Sequence, residues 1–154
     1  MPGQRFRIEQ WAPFLRSQGV DVSFLPFLSP KAMEILYRRG SVVRKAAAIL
    51  RGYAQRLAMV VRRDSADVVL VFREAALLGG PWIERVVSRR IPLVFDFDDA
   101  IYMADVSSAN AWARFLKAKG KTEIICRLAR HVTVGNDFLA AFARKHAAAV
   151  TVRA

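Results

Sequence analysis

The chain has 154 residues, which suits one domain with a substantial hydrophobic core. Its apolar fraction of 54% excludes an intrinsically disordered protein. The 25 Lys and Arg residues against 13 Asp and Glu leave a formal charge of +12. This excess favours an anionic partner such as nucleic acid, a lipid surface or a phosphorylated substrate, without choosing among them.

We expect neither a disulfide nor a targeting segment. Cys126 is the single cysteine, so it cannot form a disulfide within the chain and is expected to be a buried thiol in a reducing cytoplasm. The N-terminal residues MPGQRFRIEQW lack the apolar core of a signal peptide. No apolar run approaches the roughly 20 residues that span a bilayer. The protein is therefore expected in the cytoplasm, soluble or peripheral at the inner face of the membrane.

The N-terminal third predicts helices around one strand. Apolar residues recur at helical spacing from Phe6 to Leu15, and the alternation over Val20–Phe24 predicts a strand. Ser29 and Pro30 are typical of the N-cap and first residue of a second helix. A long amphipathic helix is predicted over Ser41–Arg63.

The middle of the chain predicts a βαβ unit. Val68–Phe72 is apolar on both faces, which is typical of a strand buried within a parallel sheet. A Gly-Gly-Pro break precedes a helix over Pro81–Arg90, with Pro81 as its first residue. Leu93–Phe95 is the next strand. We expect it beside the first strand and parallel to it, reached by a right-handed crossover.

The remaining residues continue the alternation of helices and strands. They predict a polar loop (Asp105–Asn110), helices over Ala111–Lys119, Thr122–Ala129 and Asp137–Lys145, and strands over His131–Val134 and Ala149–Val152. This order indicates one α/β domain, a Rossmann-like parallel sheet with helices on both faces.

Charged and polar residues follow three of the predicted strands. They are Arg73, Glu74, Asp96, Asp98, Asp99, Gly135 and Asn136. The carboxyl edge of an open α/β sheet is where ligands bind, so these residues are candidates to line a cleft. Gly135 permits a tight turn, and Asn136 is expected to cap the next helix, whose amide end then faces the cleft.

The charged residues among these candidates have two possible roles, one structural and one in binding a ligand. The Asp96, Asp98 and Asp99 carboxylates suit a divalent cation, but Asp side chains more often cap backbone amides after a strand. We expect capping and no structural metal site, and a cleft-lining role for Asp98 or Asp99 fits either use. Arg73 and Glu74 are interpreted as an ion pair at the sheet edge or as acceptor contacts.

Four segments together resemble a known family. In order they are RFRIEQW, DVVLVFRE…LGGPWIE, PLVFDFDDAIY and HVTVGNDFLAAFA. They are similar to the N-terminal domain of the family-four glycosyltransferases of the two-domain B fold (GT-B), and the similarity covers nearly the whole chain. FDFDDAIY and VTVGNDFLA are its most specific parts. In that family two Rossmann-like domains face each other across a cleft, the first holding the acceptor and the second the nucleotide-sugar donor.

The resemblance implies an incomplete acceptor-side domain that is inactive alone. The nucleotide-sugar would be bound by a C-terminal domain supplied in cis or in trans, the acceptor would be a glycan or a lipid-linked glycan, and neither cofactor nor metal is implied. Arg5 and Arg7 fall where the family's first strand gives way to its first helix. They are candidates to meet an anionic acceptor, although a solvated basic face is the other interpretation. No catalytic base is assigned.

The resemblance also implies that the first central strand is missing. In the family it lies between the strands that correspond to Val20–Phe24 and Val68–Phe72, whereas here only MPGQ precedes the segment. Because an unpaired strand edge invites association, we expect the chain to be unstable or to self-associate.

The basic long helix leaves three interpretations open. It is a solvated outer face, a helix on an anionic membrane surface, or a nucleic-acid-binding element. The last is disfavoured because no helix-turn-helix, zinc-finger or RNA-binding motif is present. The alternative to a transferase domain is therefore a small basic α/β protein that binds nucleic acid or anionic membranes without catalysis.

Overall fold

The structure is a computed structural model that describes residues 7–37, 40, 42–62, 66–76, 79–103 and 120–153. Arg5, the predicted loop Asp105–Asn110 and the predicted helix Ala111–Lys119 lie outside these residues.

Helices and strands alternate along the described chain. The helices are α1 (Ala12–Ser17), α2 (Pro30–Tyr37), α3 (Val42–Arg62), α4 (Trp82–Ser88), α5 (Lys121–Leu128) and α6 (Asp137–Ala143). The strands are β1 (Val69–Phe72), β2 (Leu93–Phe97), β3 (His131–Val134) and β4 (Val150–Val152), and short 3-10 turns span Glu9–Trp11 and Ile101–Met103.

The described strands form one sheet in the order β1-β2-β3-β4, and every pairing is parallel. Val71 lies beside Phe95, and Phe95 lies beside Val132. The prediction that β1 and β2 are parallel neighbours is confirmed, and the chain has a Rossmann-like α/β fold. Because the strands are parallel, their carboxyl ends all lie at one edge of the sheet.

The core lies between this sheet and the flanking helices. Leu93, Phe95 and Phe97 alternate along β2 and are fully buried. They belong to one cluster with residues from the neighbouring elements, among them Val132, Val134, Ile83, Val87, Ile125, Leu139 and Ala140. β2 therefore pairs with a neighbouring strand at each edge. The predicted burial of Val68–Phe72 on both faces is wrong, since Val68 and Leu70 are 51% and 46% exposed and β1 is the end strand of the described sheet.

The predicted strand at Val20–Phe24 is wrong. These residues form no ladder, and Val20 and Phe24 are 44% and 40% exposed. Alternation of apolar and polar side chains indicates a half-buried surface. A strand also needs a neighbouring strand whose backbone N–H and C=O groups pair with its own. None of the described strands lies beside this segment. The expected strand order on that side of β1 therefore fails with it.

Two predicted boundaries also shift. β2 runs two residues past the predicted end at Phe95, so Asp96 lies within the strand instead of after it. The extension follows from pairing on both sides, since Asp96 lies beside Phe72 of β1 and Thr133 of β3. Pro81 is the N-cap of α4 and not its first helical residue.

The helix predicted from Phe6 to Leu15 is displaced, since a 3-10 turn spans Glu9–Trp11 and α1 begins only at Ala12. The predictions for α2 and α3 agree closely with the structure. Ser29 caps α2, its hydroxyl accepting the backbone N–H of Ala32 at 3.2 Å. α3 begins one residue after the predicted Ser41 and ends one residue before Arg63. Among the described helices, α3 included, none is both long enough and apolar enough to cross a bilayer.

Gly52 allows α3 to approach the segment before α2. A methyl group at this position would lie 2.7 Å from the carbonyl oxygen of Phe27 and 2.9 Å from its ring. Neither contact is possible without moving the backbone. We expect Gly52→Ala to destabilise the chain by about 1–3 kcal/mol through overpacking, although alanine is the better helix former by about 1 kcal/mol.

Chemical denaturation measures this effect, with Ala54→Gly on the exposed side of α3 as the control. The control should cost about 1 kcal/mol through helix propensity alone. A Gly52→Ala chain more stable than the parent would show that α3 and Phe27 do not pack as closely as described.

Candidate functional site

Asp96 forms a nearly buried ion pair at the carboxyl edge of the sheet. Arg7 donates from Nε to Oδ2 of Asp96 at 2.8 Å and from Nη2 to Oδ1 at 2.7 Å. The two side chains are 13% and 5% exposed. The hydroxyl of Thr133, the neighbour of Asp96 on β3, also donates to Oδ1. This bidentate geometry is the strongest form of an arginine–carboxylate contact, so it holds the segment before α1 against the sheet.

Arg7 also contacts the far side of the sheet. Its Nη1 donates to the carbonyl oxygen of Arg153, just after β4, at 3.0 Å. The hydrogen bond to Asp96 raises the pKa of Arg7, against the opposing effect of burial. Arg7 thus joins residues of β2 and the end of β4, and its guanidinium nitrogens are engaged within the protein.

Arg73 and Asp98 form a second and more accessible pair. Arg73 Nε lies 3.0 Å and Nη2 2.9 Å from Oδ1 of Asp98, and the side chains are 36% and 23% exposed. Arg73 leaves β1 with φ of 61°, a left-handed conformation that is unusual for a residue with a side chain. That turn directs the chain out of the sheet directly beside the end of β2.

Gly135 lies against Asp98 and Arg7. A methyl group on Gly135 would be 3.5 Å from Cα of Asp98 and 3.6 Å from Nη1 of Arg7, which are ordinary van der Waals distances, so alanine is tolerated there. The predicted cap at Asn136 is confirmed, since its Oδ1 accepts the backbone N–H of Leu139 at 2.9 Å. α6 has only seven residues, and we assign no anion site to its N-terminus.

The three aspartates have different environments. Asp99 is exposed, and its Oδ1 accepts the backbone N–H of Ala100 at 2.9 Å, as the capping prediction stated. Asp96 and Asp98 instead accept hydrogen bonds from arginine side chains. In the part of the chain that the structure describes, no three His, Cys, Asp or Glu side chains are grouped to hold a metal ion.

Glu74 pairs with Lys121 and not with its neighbour Arg73. Lys121 Nζ donates to Oε2 of Glu74 at 2.9 Å and to the carbonyl oxygen of Ala76 at 2.8 Å. Lys121 is buried at the start of α5. The interpretation of Arg73 and Glu74 as a mutual ion pair is therefore wrong, because each is drawn to a partner on another element.

A buried carboxylate and an arginine complete the support of the loop after β1. Glu84, fully buried on α4, accepts the backbone N–H of Ala75 at Oε1, at 3.0 Å. Arg56 of α3 donates from Nε to the carbonyl oxygen of Ala75, also at 3.0 Å. Burial lowers the pKa of Arg56, and the negative charge of Glu84 opposes this. Sequence analysis missed Glu84, Arg56 and Lys121, because no local pattern indicates a contact with a loop on another element.

Residues of four separate segments thus meet at one edge of the sheet. Arg7, Asp96 and Gly135 form its floor, while Arg73, Asp98 and Asp99 retain access to solvent. Carboxylates accept hydrogen bonds from hydroxyls, and a guanidinium donates to oxygen, so this edge has the chemistry to bind a polyhydroxyl or anionic ligand. The chain matches no known family, and comparison with curated proteins and with solved structures gives no match either.

Cys126 lies in the core, away from this chemistry. It is fully buried on α5, and burial, with a smaller contribution from Glu123, raises the pKa of the thiol from 9.0 to about 12. The folded chain therefore keeps the thiol protonated. We expect an aromatic disulfide reagent to react with Cys126 at pH 8 only as fast as the chain unfolds.

The same shift makes stability depend on pH. The unfolded thiol ionises near 9.0 and the folded thiol near 12. The contribution of the protonated thiol to the free energy of unfolding is therefore complete below pH 9 and is lost as the pH rises towards 12. The rate at which the reagent labels Cys126, measured with and without denaturant, tests whether the fold protects the thiol. Rapid labelling of the native chain would contradict it.

Proposed function

We propose that this chain is the acceptor-side domain of a glycosyltransferase. The enzyme moves a sugar from a nucleotide-sugar donor to an acceptor hydroxyl, and a second domain binds the donor. The acceptor is a glycan or a lipid-linked glycan, met in the cytoplasm or at the inner face of the membrane. The Rossmann-like fold permits this function but does not imply it, since the same fold serves many chemistries.

The observation that carries the proposal is where the four resembling segments meet. RFRIEQW supplies Arg7, DVVLVFRE supplies Arg73, PLVFDFDDAIY supplies Asp96 and Asp98, and HVTVGNDFLAAFA supplies Gly135. Arg7 and Asp96 are 89 residues apart and Arg73 and Asp98 are 25 apart, yet the side chains of each pair lie within hydrogen-bonding distance. A structural role alone does not require the polar residues of all four segments at the ligand-binding edge of the sheet.

The accessible residues have distinct roles in this proposal. The second carboxylate oxygen of Asp98, Oδ2, accepts a hydrogen bond from an acceptor hydroxyl, and Arg73 either keeps the carboxylate in place or donates to the acceptor itself. Asp99 borders the same edge. Arg7, Asp96 and Gly135 position this surface and do not touch the acceptor, and no residue is assigned as the catalytic base.

Acceptor binding by the isolated chain tests the proposal. A glycan array, together with short-chain prenyl-phosphate sugars, should identify ligands whose affinity falls at least tenfold in Asp98→Asn, since a hydrogen bond to a charged group contributes about 1.5–3 kcal/mol. Asp67→Asn, a change at an exposed aspartate before β1, is the matched control and should leave affinity unchanged. We expect no transfer from nucleotide-sugars by this chain alone.

Two outcomes would overturn the proposal. One is sugar transfer by the purified 154-residue chain, since the donor domain would then not be needed. The other is an absence of glycan binding together with salt-dependent binding of duplex DNA, which the charge of +12 would favour. The latter result would support the nucleic-acid alternative.

A further inference from the structure

The long helix α3 has two apolar faces, and only one of them packs on the part of the protein that the structure describes. Tyr53, Met59 and Val60 pack against the core cluster, and Gly52 is buried against Phe27. The apolar side predicted from sequence is therefore divided, because part of it faces away from the core.

The outward face carries a regular stripe, which we call the α3 stripe. Val43, Leu50 and Leu57 recur every seven residues and are 82%, 68% and 52% exposed. Ala47 and Ala54 lie between them and are exposed as well. Since seven residues are nearly two helical turns, these side chains line up along one side of α3. Isolated exposed leucines need no explanation, but a continuous stripe on one helix does.

Cations border the α3 stripe, and acids are absent from the helix. Arg44 and Arg51 each follow a stripe residue by one position, which places them about 100° around the helix, and both are exposed. The sequence of α3 contains Arg44, Lys45, Arg51, Arg56 and Arg62 and neither Asp nor Glu. The stripe is therefore apolar at its centre and positive along one border.

This charge pattern distinguishes between two kinds of partner. Seven-residue spacing would suit pairing with a second copy of α3, as in a coiled coil. Such pairing would set arginines beside arginines with no acid on either helix, and like charges at these positions are destabilising. An anionic lipid surface meets both features, since acyl chains accept the leucines and phosphates accept the guanidinium N–H groups.

We propose that α3 is a docking helix for an anionic lipid bilayer. The helix lies in the plane of the interface, with Val43, Leu50 and Leu57 at the boundary between headgroups and acyl chains. Arg44 and Arg51 extend along the helix surface towards lipid phosphates. The opposite face of α3 stays packed on the core, so binding requires no rearrangement of the fold. Vesicle binding needs no sugar, and its outcome is therefore independent of the transferase proposal.

Co-sedimentation of the full chain with vesicles tests the inference. Binding is expected to vesicles that contain phosphatidylglycerol with phosphatidylcholine and to be at least tenfold weaker for phosphatidylcholine alone. Each arginine near the surface contributes about fivefold, so Arg44→Gln/Arg51→Gln should lower binding about 25-fold. Leu50→Ser/Leu57→Ser should reduce binding at least tenfold, because two side chains lose most of their apolar transfer energy.

Control substitutions outside α3 test whether vesicle binding depends on this helix or only on the overall charge and apolar surface of the chain. Arg130→Gln/Arg144→Gln removes two exposed arginines outside α3, and Phe138→Ser removes an exposed apolar side chain from α6. Both variants should bind within about twofold of the parent, and circular dichroism should show all variants folded.

Three results would overturn the inference. They are no binding to anionic vesicles, an equal loss of binding in the control variants, or a dimer in sedimentation that Leu50→Ser/Leu57→Ser dissociates. The last would assign the α3 stripe to a second copy of the chain instead.

Discussion

Replacing Asp96 with alanine is expected to destabilise the chain by about 3–5 kcal/mol, because it leaves the partly buried guanidinium of Arg7 without its charged partner. The change also removes the acceptor of the Thr133 hydroxyl. With Arg7 released, the segment before α1 loses its attachment to β2. Few single substitutions cost this much, and the nearly complete burial of Asp96 is the reason.

Chemical denaturation measures the loss, with Asp67→Ala as the exposed control at about 0.5 kcal/mol or less. The double change Arg7→Met/Asp96→Leu should recover much of the stability, since an apolar pair of similar size avoids burying any charge. A cost below about 1 kcal/mol for Asp96→Ala would show that Arg7 does not depend on this carboxylate. If the double variant does not recover stability, the loss on Asp96→Ala comes from packing around Asp96 and not from the ion pair.

Sequence patterns predicted the elements whose signal is local. The apolar runs of β1, β2 and β3, the cap at Ser29 and the amphipathic period of α3 each depend on residues within a few turns of one another. These predictions agree with the structure to within one or two residues in most cases. The carboxyl edge could also be predicted, because parallel strands bring their ends together wherever they occur.

Partners across the fold could not be predicted. Arg7 and Asp96 are 89 residues apart, and Lys121 and Glu74 are 47 apart. No pattern of residues close together in sequence therefore indicates either ion pair. Val20–Phe24 shows the opposite error, since its alternation is real but no strand lies beside it among the described residues. The extra length of β2 was missed for a related reason. A polar residue at Asp96 indicates an end, and only pairing with both neighbours keeps it in the strand.

The chain is expected to self-associate at micromolar concentration through the outer edge of β1. The backbone N–H of Val69 donates to Pro92, just before β2, and that of Arg73 donates to Asp96 within β2, so by alternation those of Leu70 and Phe72 point away from β2. β1 is the last strand on that side of the described sheet, and Val68 and Leu70 are 51% and 46% exposed. A parallel strand normally has both faces covered, and an apolar exposed edge is a template for another strand.

Sedimentation of Leu70→Lys against the parent chain tests this expectation, because a lysine at an edge strand opposes pairing while leaving the β1–β2 ladder intact. The variant should be monomeric, whereas Phe138→Lys on α6 should associate like the parent. Loss of association on Leu50→Ser/Leu57→Ser, but not on Leu70→Lys, would move the contact to α3. A parent chain that is monomeric and unfolds cooperatively at micromolar concentration would mean that the edge of β1 is already protected.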